Sequence, residues 1–588
     1  ERERMVASGQ LLGAQIVASA FPDVGVGELV AIGRPGTQPE QAGKALQGVL
    51  DGYRTNGVPN DLIAVAKARL LSSTAYRQAS ISGVAFAWTR ALASGQTSPD
   101  ADQSALAAVT DADVNSVMRR YFDPQRCLTI ALQPKLVTSM PKVDPKAGVE
   151  DVSYTSDKAY ALPSWAGAYF AAPLRAPDDS NVAVVHLPNG LRLIVRRETL
   201  SPTVVVMGSI RSSAQLYEPA GKSGVADLTA SLLGWGTTTL GRTQYVAALD
   251  AIQANVKLGT GFSVTAQSKD FDAAVGLMAD GLLHPSFPQK QFDVFKADQA
   301  QSLAAVASLP STQADIARTD ALFPLGDPRR RRATTQSVTS VNLDDVKRWY
   351  GLAYRPDLTS IVVVGDVTPA QARAVVAKYF VGWKNVGKTP TFKYPTVKPA
   401  KSETVTVTSS ASQNSQVTLT QVLTLHRYDR EAIALELANT ILSGQGTGSM
   451  LFRDVRTAKG YVYDIDSSMN IGTSNSTFSV DFSSDPKNVR GAQAAAISVI
   501  RRLQSAPLPL AQVQQAKALL LAQRVLPLDS YTGVANDLLE DARANYTSMD
   551  ANYYWQRLLE VTPIQLQQAM RKYIDTKHFL RVIVAPGA

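Results

Sequence analysis

The chain has 588 residues, of which 45% are apolar and 19% charged, with a formal net charge of +9. At roughly 150 residues per unit this is material for three or four cores, and the balance is that of an ordinary globular protein rather than a disordered or fibrous one. No apolar run approaches the ~18–20 residues that a membrane-spanning helix needs. A single cysteine, Cys127, excludes an intramolecular disulfide and a zinc ribbon. It opens the apolar run at 127–132, which reads as a strand, so a buried structural thiol is expected. The one dense run of charge, Arg329-Arg330-Arg331-Arg332, follows Gly326-Asp327-Pro328. It has no interleaved aromatics, so it reads as a solvated loop rather than a nucleic-acid surface.

In chain order, the first periodic segment is a helix with Ala42, Ala45, Leu46, Val49, Leu50 and Tyr53 on one face, spaced as a core-forming stripe. Val65-Ala66-Lys67-Ala68 follows, then a polar helix from Asp113 to Tyr121, then a β-rich run at 128–132. The same order recurs twice. The second copy has Phe262-Ser263-Val264-Thr265, a helix at 272–283, Phe295-Lys296-Ala297-Asp298, a helix from Asp345 to Tyr350 and a strand at 360–364. The third has Phe478-Ser479-Val480-Asp481, a helix at 489–503, Gln515-Ala516-Lys517-Ala518, a helix from Gln565 to Tyr573 and a strand at 580–584. Lys67 to Lys296 and Tyr121 to Tyr350 are both 229 residues, while Lys67 to Lys517 is 450 and Tyr121 to Tyr573 is 452. Independent landmarks that keep step in this way mark an internal repeat.

The expected organisation follows. Residues 1–135 read as the C-terminal part of one repeat, and 136–180, rich in Pro, Ala, Ser and Asp without apolar period, as a linker. Residues 181–395 read as a complete unit that opens with a hairpin around Pro188-Asn189-Gly190. A short polar linker at 396–403 leads to the last unit, 404–588. Strands alternate with long helices, so the fold class is α+β: repeated sandwich units, each a mainly antiparallel sheet with helices packed on one face.

The stretch Ser223-Gly224-Val225-Ala226-Asp227-Leu228-Thr229-Ala230-Ser231, continuing to Gly234-Trp235-Gly236-Thr237, resembles the segment S-G-x-A-H-F-L-E-H-M-x-F-x-G-T that carries H-x-x-E-H in pitrilysin/insulinase-type (inverzincin) zinc peptidases. Leu187-Pro188-Asn189-Gly190-Leu191 and the stretch from Gly208 to Glu218 are similar to the same family, and the resemblance covers essentially the whole chain. It implies four similar units in two halves, a clamshell around a substrate chamber, with this chain holding the end of unit two and units three and four. In such enzymes two His at i and i+4 bind Zn²⁺ from one side of a helix, and the Glu between them acts as general base. Here Asp227 and Ser231 stand at the His positions and Ala230 at the Glu position. There is no glutamate between Glu218 and Glu403, and the four histidines, His186, His284, His426 and His578, form no helix-spaced pair. The expectation is a degenerate motif in the third unit, no metal in this chain, and zinc on an N-terminal portion or partner bearing H-x-x-E-H.

The segment from Gly444 to Tyr463, with Ser449-Met450-Leu451-Phe452-Arg453-Asp454-Val455-Arg456 at its centre, resembles the family's S-x-L-F-x-x-L-R-x-x-x-G-x-x-Y. The resemblance maps the family's substrate-contacting Arg and Tyr onto Arg456 and Tyr463. A guanidinium and a phenol suit hydrogen bonding to a substrate carbonyl and to the oxyanion formed in peptide hydrolysis. From the residues alone, Arg456 capping a helix or pairing with Asp454 or Asp464, and Tyr463 packing in a strand, stay open. The Gly-rich lead-in lacks the Gly-Lys-Ser/Thr ending of a phosphate loop.

The resemblance therefore implies the C-terminal, zinc-free portion of a zinc metalloendopeptidase, inactive by itself, that closes over peptide or unfolded-protein substrates. Substrate pairing to a sheet edge is the family's other mode of recognition. The alternative is a catalytically inactive member acting as a peptide-binding or scaffold subunit. No nucleic-acid partner and no membrane span are expected. The start at Glu1 falls inside a repeat and reads as that of a processed chain, and the Ala/Gln/Ser/Thr-rich make-up favours the bacterial periplasm, with the cytoplasm as the alternative.

Overall fold

The structure is a computed structural model. It describes residues 11–20, 24–33, 37–93, 95–123, 127–132, 181–398, 402–409, 412–543 and 548–587. The expected linker at 136–180 lies outside the described residues, as does the middle of the one at 396–403.

Two mixed sheets organise the chain. The first has β3 (Val182–His186), β4 (Arg192–Arg197), β5 (Thr203–Ile210), β6 (Asn255–Lys257), β7 (Gly261–Gln267) and β8 (Thr359–Gly365), in the order β3-β4-β8-β5-β7-β6. The second has β9 (Thr404–Ser409), β10 (Ser415–Leu423), β11 (Asp464–Asn470), β12 (Ser476–Ser484) and β13 (Leu580–Pro586), in the order β11-β12-β10-β13-β9. All pairings are antiparallel except β4 with β8 and β13 with β9. The Pro188-Asn189-Gly190 turn joins β3 to β4. Gly190 holds φ +93° there, which only glycine adopts without strain, and the Asn189 amide donates to the Phe380 carbonyl at 2.8 Å.

Among the described residues, five helices precede the first sheet: α1 (Pro39–Asn56), α2 (Asn60–Gln78), α3 (Ile81–Ala93), α4 (Pro99–Ala108) and α5 (Asp111–Tyr121). The first sheet is accompanied by α6 (Val225–Leu232), α7 (Phe271–Leu283), α8 (Gln289–Ala307), α9 (Pro310–Leu322), α10 (Leu343–Ala353) and α11 (Pro369–Phe380). The second is accompanied by α12 (Ala432–Asn439), α13 (Val489–Ser505), α14 (Leu510–Val525), α15 (Tyr531–Arg543), α16 (Ser548–Glu560) and α17 (Pro563–Tyr573). Alternation along the strands sends Leu193, Val195, Val204, Val206 and Val363 into one core with α6, α7, α10 and α11. Val417, Leu419, Phe478, Val480 and Phe482 enter the other with α12, α13 and α17.

The repeated lysine has one structural duty. Lys67 Nζ donates to the Val109 carbonyl at 2.9 Å, Lys296 Nζ to Val341 at 2.7 Å, and Lys517 Nζ to Leu559 at 2.6 Å. Each acceptor lies just before a capped helix. The caps are Thr110, Asn342 and Thr562, each in a reciprocal capping box with the residue three positions on: Asp113, Asp345 and Gln565. The lysine ties the long helix to the chain one to three residues ahead of the next helix's cap.

The opposite faces of the sheets are also covered, each by a helix from the other's sequence. Along α15, Tyr531, Val534, Ala535, Leu538 and Ala542 pack on Ile194, Val205, Val362 and Val364 of the first sheet. Along α9, Ala314, Ala321 and Leu322 pack on Val422, Leu580 and Val582 of the second. Arg543 Nε also donates to Ser209 Oγ at 2.7 Å. The expectation of helices on a single sheet face is thus completed by an exchange that local pattern does not encode.

Residues 11–132 differ. β1 (Leu11–Ala20) and β2 (Gly25–Gly33) form an isolated antiparallel hairpin. No residue of α1 is buried, although its apolar stripe reads as core-forming; the stripe is only half covered. The run at 127–132 is not a strand: Leu128, Ile130 and Leu132 are exposed, and so is Cys127, whose thiol faces the Asp123 carbonyl at 3.4 Å. In the two complete sheets the strand equivalent to 128–132 (β8 or β13) pairs with a central strand, β5 or β10. No described residue supplies that neighbour here, and a strand needs a hydrogen-bonded partner whatever its propensity. The segment is held to the rest through α2 and its end: the Tyr76 hydroxyl donates to the Gln253 carbonyl at 2.9 Å, and Ser201 Oγ to the Ala75 carbonyl at 2.7 Å.

Candidate functional site

The blank metal motif is an ordinary buried helix. Gly224 precedes α6 at φ +102°, and a Cβ there would lie 2.7 Å from Val338, so the tight entry to α6 requires glycine. Glu218 caps that entry: its Oε1 accepts from the Gly224 and Ala226 amides, both at 3.0 Å. Burial pushes the Glu218 carboxyl up, against the pull of those two amides. Val225, Leu228, Thr229 and Leu232 face the core. Asp227 and Ser231 are on the solvent side, with Ala230 partly covered. Ser231 Oγ donates back to the Asp227 carbonyl at 2.9 Å, and partial desolvation raises the Asp227 carboxyl.

Three donors of the kind zinc takes are not present at this helix, and among the described residues no group of three His, Cys, Asp or Glu side chains could hold a metal ion. The residues present do not fit zinc. His284, His426 and His578 each sit beside an aspartate three or four residues away, at 3.3, 3.4 and 2.6 Å, in different parts of the fold.

The last unit holds the second candidate. Two π-helical turns, Thr440–Gly444 and Phe452–Thr457, bracket the glycine-rich segment. Such wide turns re-aim side chains and occur often at functional sites. Leu451 and Val455 anchor the second turn in the core, while Arg456 projects to solvent with its guanidinium carbon 4.7 Å above the Phe452 ring. Asp454, a possible partner for Arg456 from sequence, is taken by Arg453 at 2.8 Å and by Arg502. Among the described residues no carboxylate lies within ion-pair distance of Arg456, although its charge reaches Asp464.

The chain then turns at Gly460, φ +61°, and enters β11. The Tyr463 amide donates to the Ser483 carbonyl at 2.8 Å, extending the β11–β12 ladder, and its half-exposed phenol donates to Asp485 at 2.9 Å. That bond raises the phenol pKa, with partial burial adding to it. Asp485, not distinguished by any sequence spacing, thus holds the candidate tyrosine.

Beside this pair runs an acidic edge. β11 ends the sheet, and Asp466 stands directly opposite Asp481. Burial raises the Asp466 carboxyl, and the Asp481 and Asp464 charges raise it further. For Asp464, burial likewise outweighs the opposing pull of Arg456. The structure therefore places Arg456 and Tyr463 on the solvent side of one segment, leading to one sheet edge, and places the motif helix α6 in a different unit.

The arginine run is not a solvated loop. Arg329 forks Asp327 at 2.8 and 2.9 Å and lies 4.2 Å from the Phe323 ring centroid. Arg330 and Arg332 share Asp320 at 3.1 and 2.6 Å, and Arg331 donates to the Gln215 carbonyl at 3.2 Å. Burial works to raise the Asp327 carboxyl, and the Arg329 fork overrides it and holds it below the usual range. The missed signal was Asp320 and Asp327, two acids within reach of three of the four cations.

Comparison with known proteins bears on the fold that carries these residues. Residues 340–520 match the family model described as "Peptidase M16 inactive domain". The uncharacterized zinc protease of Mycobacterium tuberculosis H37Rv and its counterpart in Mycobacterium bovis are each 22% identical over 429 residues, covering 70% of this chain and 96% of the relative. Among solved structures, the peptidase M16 inactive domain from Pseudomonas fluorescens superposes with TM-score 0.63 at 19% identity, over 69% of this chain and 99% of that one. The periplasmic protease PqqL from Escherichia coli does so with TM-score 0.61 at 13% identity, over 100% of this chain and 68% of that one. No helix among the described residues is long and apolar enough to cross a membrane. These findings support the pitrilysin/insulinase resemblance: residues 340–520 match a peptidase M16 inactive-domain model, and the chain is M16-like in fold.

Proposed function

We propose that this chain is the zinc-free, substrate-closing portion of an M16-type zinc metalloendopeptidase acting on peptides or unfolded proteins. The catalytic zinc belongs to an N-terminal portion or partner chain bearing H-x-x-E-H. The observation that carries the reading is Arg456: a guanidinium held on an aromatic ring, with no described carboxylate in ion-pair distance, on a segment anchored by Leu451 and Val455. A cation so placed is preorganised to donate to a substrate carbonyl and to the oxyanion that develops from it. Tyr463 supplies a second donor once its phenol turns from Asp485 toward a substrate oxygen. The β11 edge offers unpaired backbone groups to an extended peptide, and its aspartates favour substrates with basic side chains. The domain organisation that goes with this reading is a second-unit remnant at 1–135, a third unit at 181–395 and a fourth at 404–588. The periplasm is the compartment proposed, by likeness to PqqL.

The test is turnover by the assembly of this chain with its H-x-x-E-H partner. Arg456→Ala lowers kcat about 10²-fold or more, with zinc content unchanged by metal analysis. Turnover unchanged in that variant removes the role. The second reading, a non-catalytic peptide-binding or scaffold subunit, is motivated by the degenerate motif at Asp227, Ala230 and Ser231, which the first reading also expects in a third unit. It prevails if the native preparation contains neither zinc nor an H-x-x-E-H polypeptide by mass spectrometry.

A further inference from the structure

The two sheets differ by one strand. Counted from one edge, β9-β13-β10-β12-β11 matches β4-β8-β5-β7-β6 place for place, down to the parallel pairs β13–β9 and β4–β8. The first sheet adds β3, antiparallel on β4. Among the described residues no strand takes that place beside β9. The registers agree as well. Val405 stands beside Val582 as Ile194 stands beside Val362, and the two pairs face the exchanged helices α9 and α15.

The β9 edge is open to pairing. The Arg581 amide donates to the Glu403 carbonyl at 2.8 Å and the Gly587 amide to Ser409 at 2.7 Å, so the odd-numbered residues turn their backbone to β13. By the two-residue period of a strand, the N–H and C=O of Thr404, Thr406 and Thr408 point away from it. Native edges are commonly blunted by shortness, charge or proline. β6 has three residues, and β11 carries Asp464 and Asp466. β9 reads Thr-Val-Thr-Val-Thr-Ser, with no charge, no proline and no break in register.

An open groove of about 590 Å³ flanks the vacant place on its α9 side, lined by Ala317, Asp320, Phe323, Arg330, Glu403 and Val405. Arg330 is paired with Asp320 at 3.1 Å. Glu403 is exposed and makes no ion pair with a described residue. On the first sheet, β3 sets Val184 opposite Ile194 and His186 opposite Arg192. Carried over to β9, those two positions fall opposite Val405 and Glu403.

We infer that the β9 edge binds an extended peptide segment antiparallel to itself, with an apolar side chain beside Val405 and a Lys or Arg two residues on, opposite Glu403. Asp320 already occupies Arg330, so the carboxylate directly across the strand pair sets the charge preference. The occupant is a peptide substrate, and for that identity the inference rests on the reading above. It adds a holding point on the sheet edge opposite β11. Four strand spacings, about 19 Å, separate the two edges, so a segment on β9 leaves β11 free.

The experiment uses the full chain and a fluorescent peptide of sequence 181–187 with His186→Lys. Binding, followed by anisotropy, should slow amide exchange across 404–409. The His186→Glu peptide should bind about threefold more weakly, and Glu403→Lys in the chain should reverse that order. Thr406→Pro removes an outward N–H without touching the β13 ladder. It should weaken binding about 10-fold and leave thermal unfolding unmoved. No binding, protection at 464–470 instead of 404–409, or undiminished binding to Thr406→Pro overturns the β9 site and leaves the proposed role of Arg456 standing. If Thr406→Pro instead separates a dimer, the occupant is a second copy of this chain and the inference falls. Turnover unchanged by Arg456→Ala removes the role of Arg456 and leaves the β9 site, which is measured on this chain without its partner.

Discussion

The region at 181–587 and the region at 11–132 are built from the same repeat, and only the first encloses its apolar residues. In 181–587 the equivalent helices α7 and α13 bury whole faces, including Val275, Met278 and Leu282 on one and Ala492, Val499 and Leu503 on the other. In α1 the corresponding stripe is only half covered. Most of the exposed large apolar side chains among the described residues fall in the much shorter region 11–132, where the buried apolar residues are Leu11, Ile63, Ala79 and Ala91. Amphipathic pattern creates a surface that has to be covered; it does not supply the cover. What covers the complete units is a shared sheet plus an exchanged helix, and 11–132 has a two-stranded hairpin in place of that sheet.

The largest expected effect tests this contrast in the cores. Phe478→Ala removes a fully buried ring and should cost about 3–5 kcal/mol, whereas Leu46→Ala, on the half-covered stripe, should cost under about 1 kcal/mol. Denaturant unfolding of each variant measures both, and equal losses would break the comparison. Next comes Gly533→Ala, whose new methyl meets the Pro527 oxygen; overpacking there should cost about 1–3 kcal/mol. It should also weaken the α15 cover, seen as faster amide exchange along 531–543.

The repeated lysine sharpens the comparison at one side chain. Lys517 is nearly fully buried and its burial lowers its pKa. Lys517→Met leaves the Leu559 carbonyl unmatched, a loss of about 1–3 kcal/mol. Lys67→Met, in a half-buried setting, should lose less than half of that by thermal unfolding.

The smallest effect has the opposite sign. Asp466→Asn relieves the pair facing Asp481 and should stabilise by about 0.2–1 kcal/mol at neutral pH. The native pKa is raised by burial and by the neighbouring carboxylates. The charged form therefore destabilises the fold once pH rises past the ordinary value of ~3.9 and through the raised one. The gain should be present above that raised pKa and fade as pH falls through it toward 4. A gain that persists at pH 3 would mean that charge is not its source.

Much of the fold was legible in the sequence because repeats carry their own registration. The lysine, the Thr/Asn cap and the closing strand return at fixed offsets, and each proved to share a hydrogen bond or a sheet position in the two complete units. Other features were not legible. The arginine run gains its partners from acids at Asp320 and Asp327 that only the folded loop brings to it. Asp485 meets Tyr463 across β12 with no motif to announce it. The run at 128–132 has the composition of a strand and is none.

The sequence by itself determined the repeat, the helix starts, the α+β class and the absence of a zinc ligand set at Asp227, Ala230 and Ser231, because these depend on residue type and spacing along a single element. Tertiary structure alone decided that α15 and α9 exchange sheets, that Arg456 lies over Phe452 while Arg453 and Arg502 take Asp454, and that α3 is left open. Those outcomes rest on which surfaces meet over hundreds of residues, and burial and ion pairing are properties of the meeting rather than of either partner.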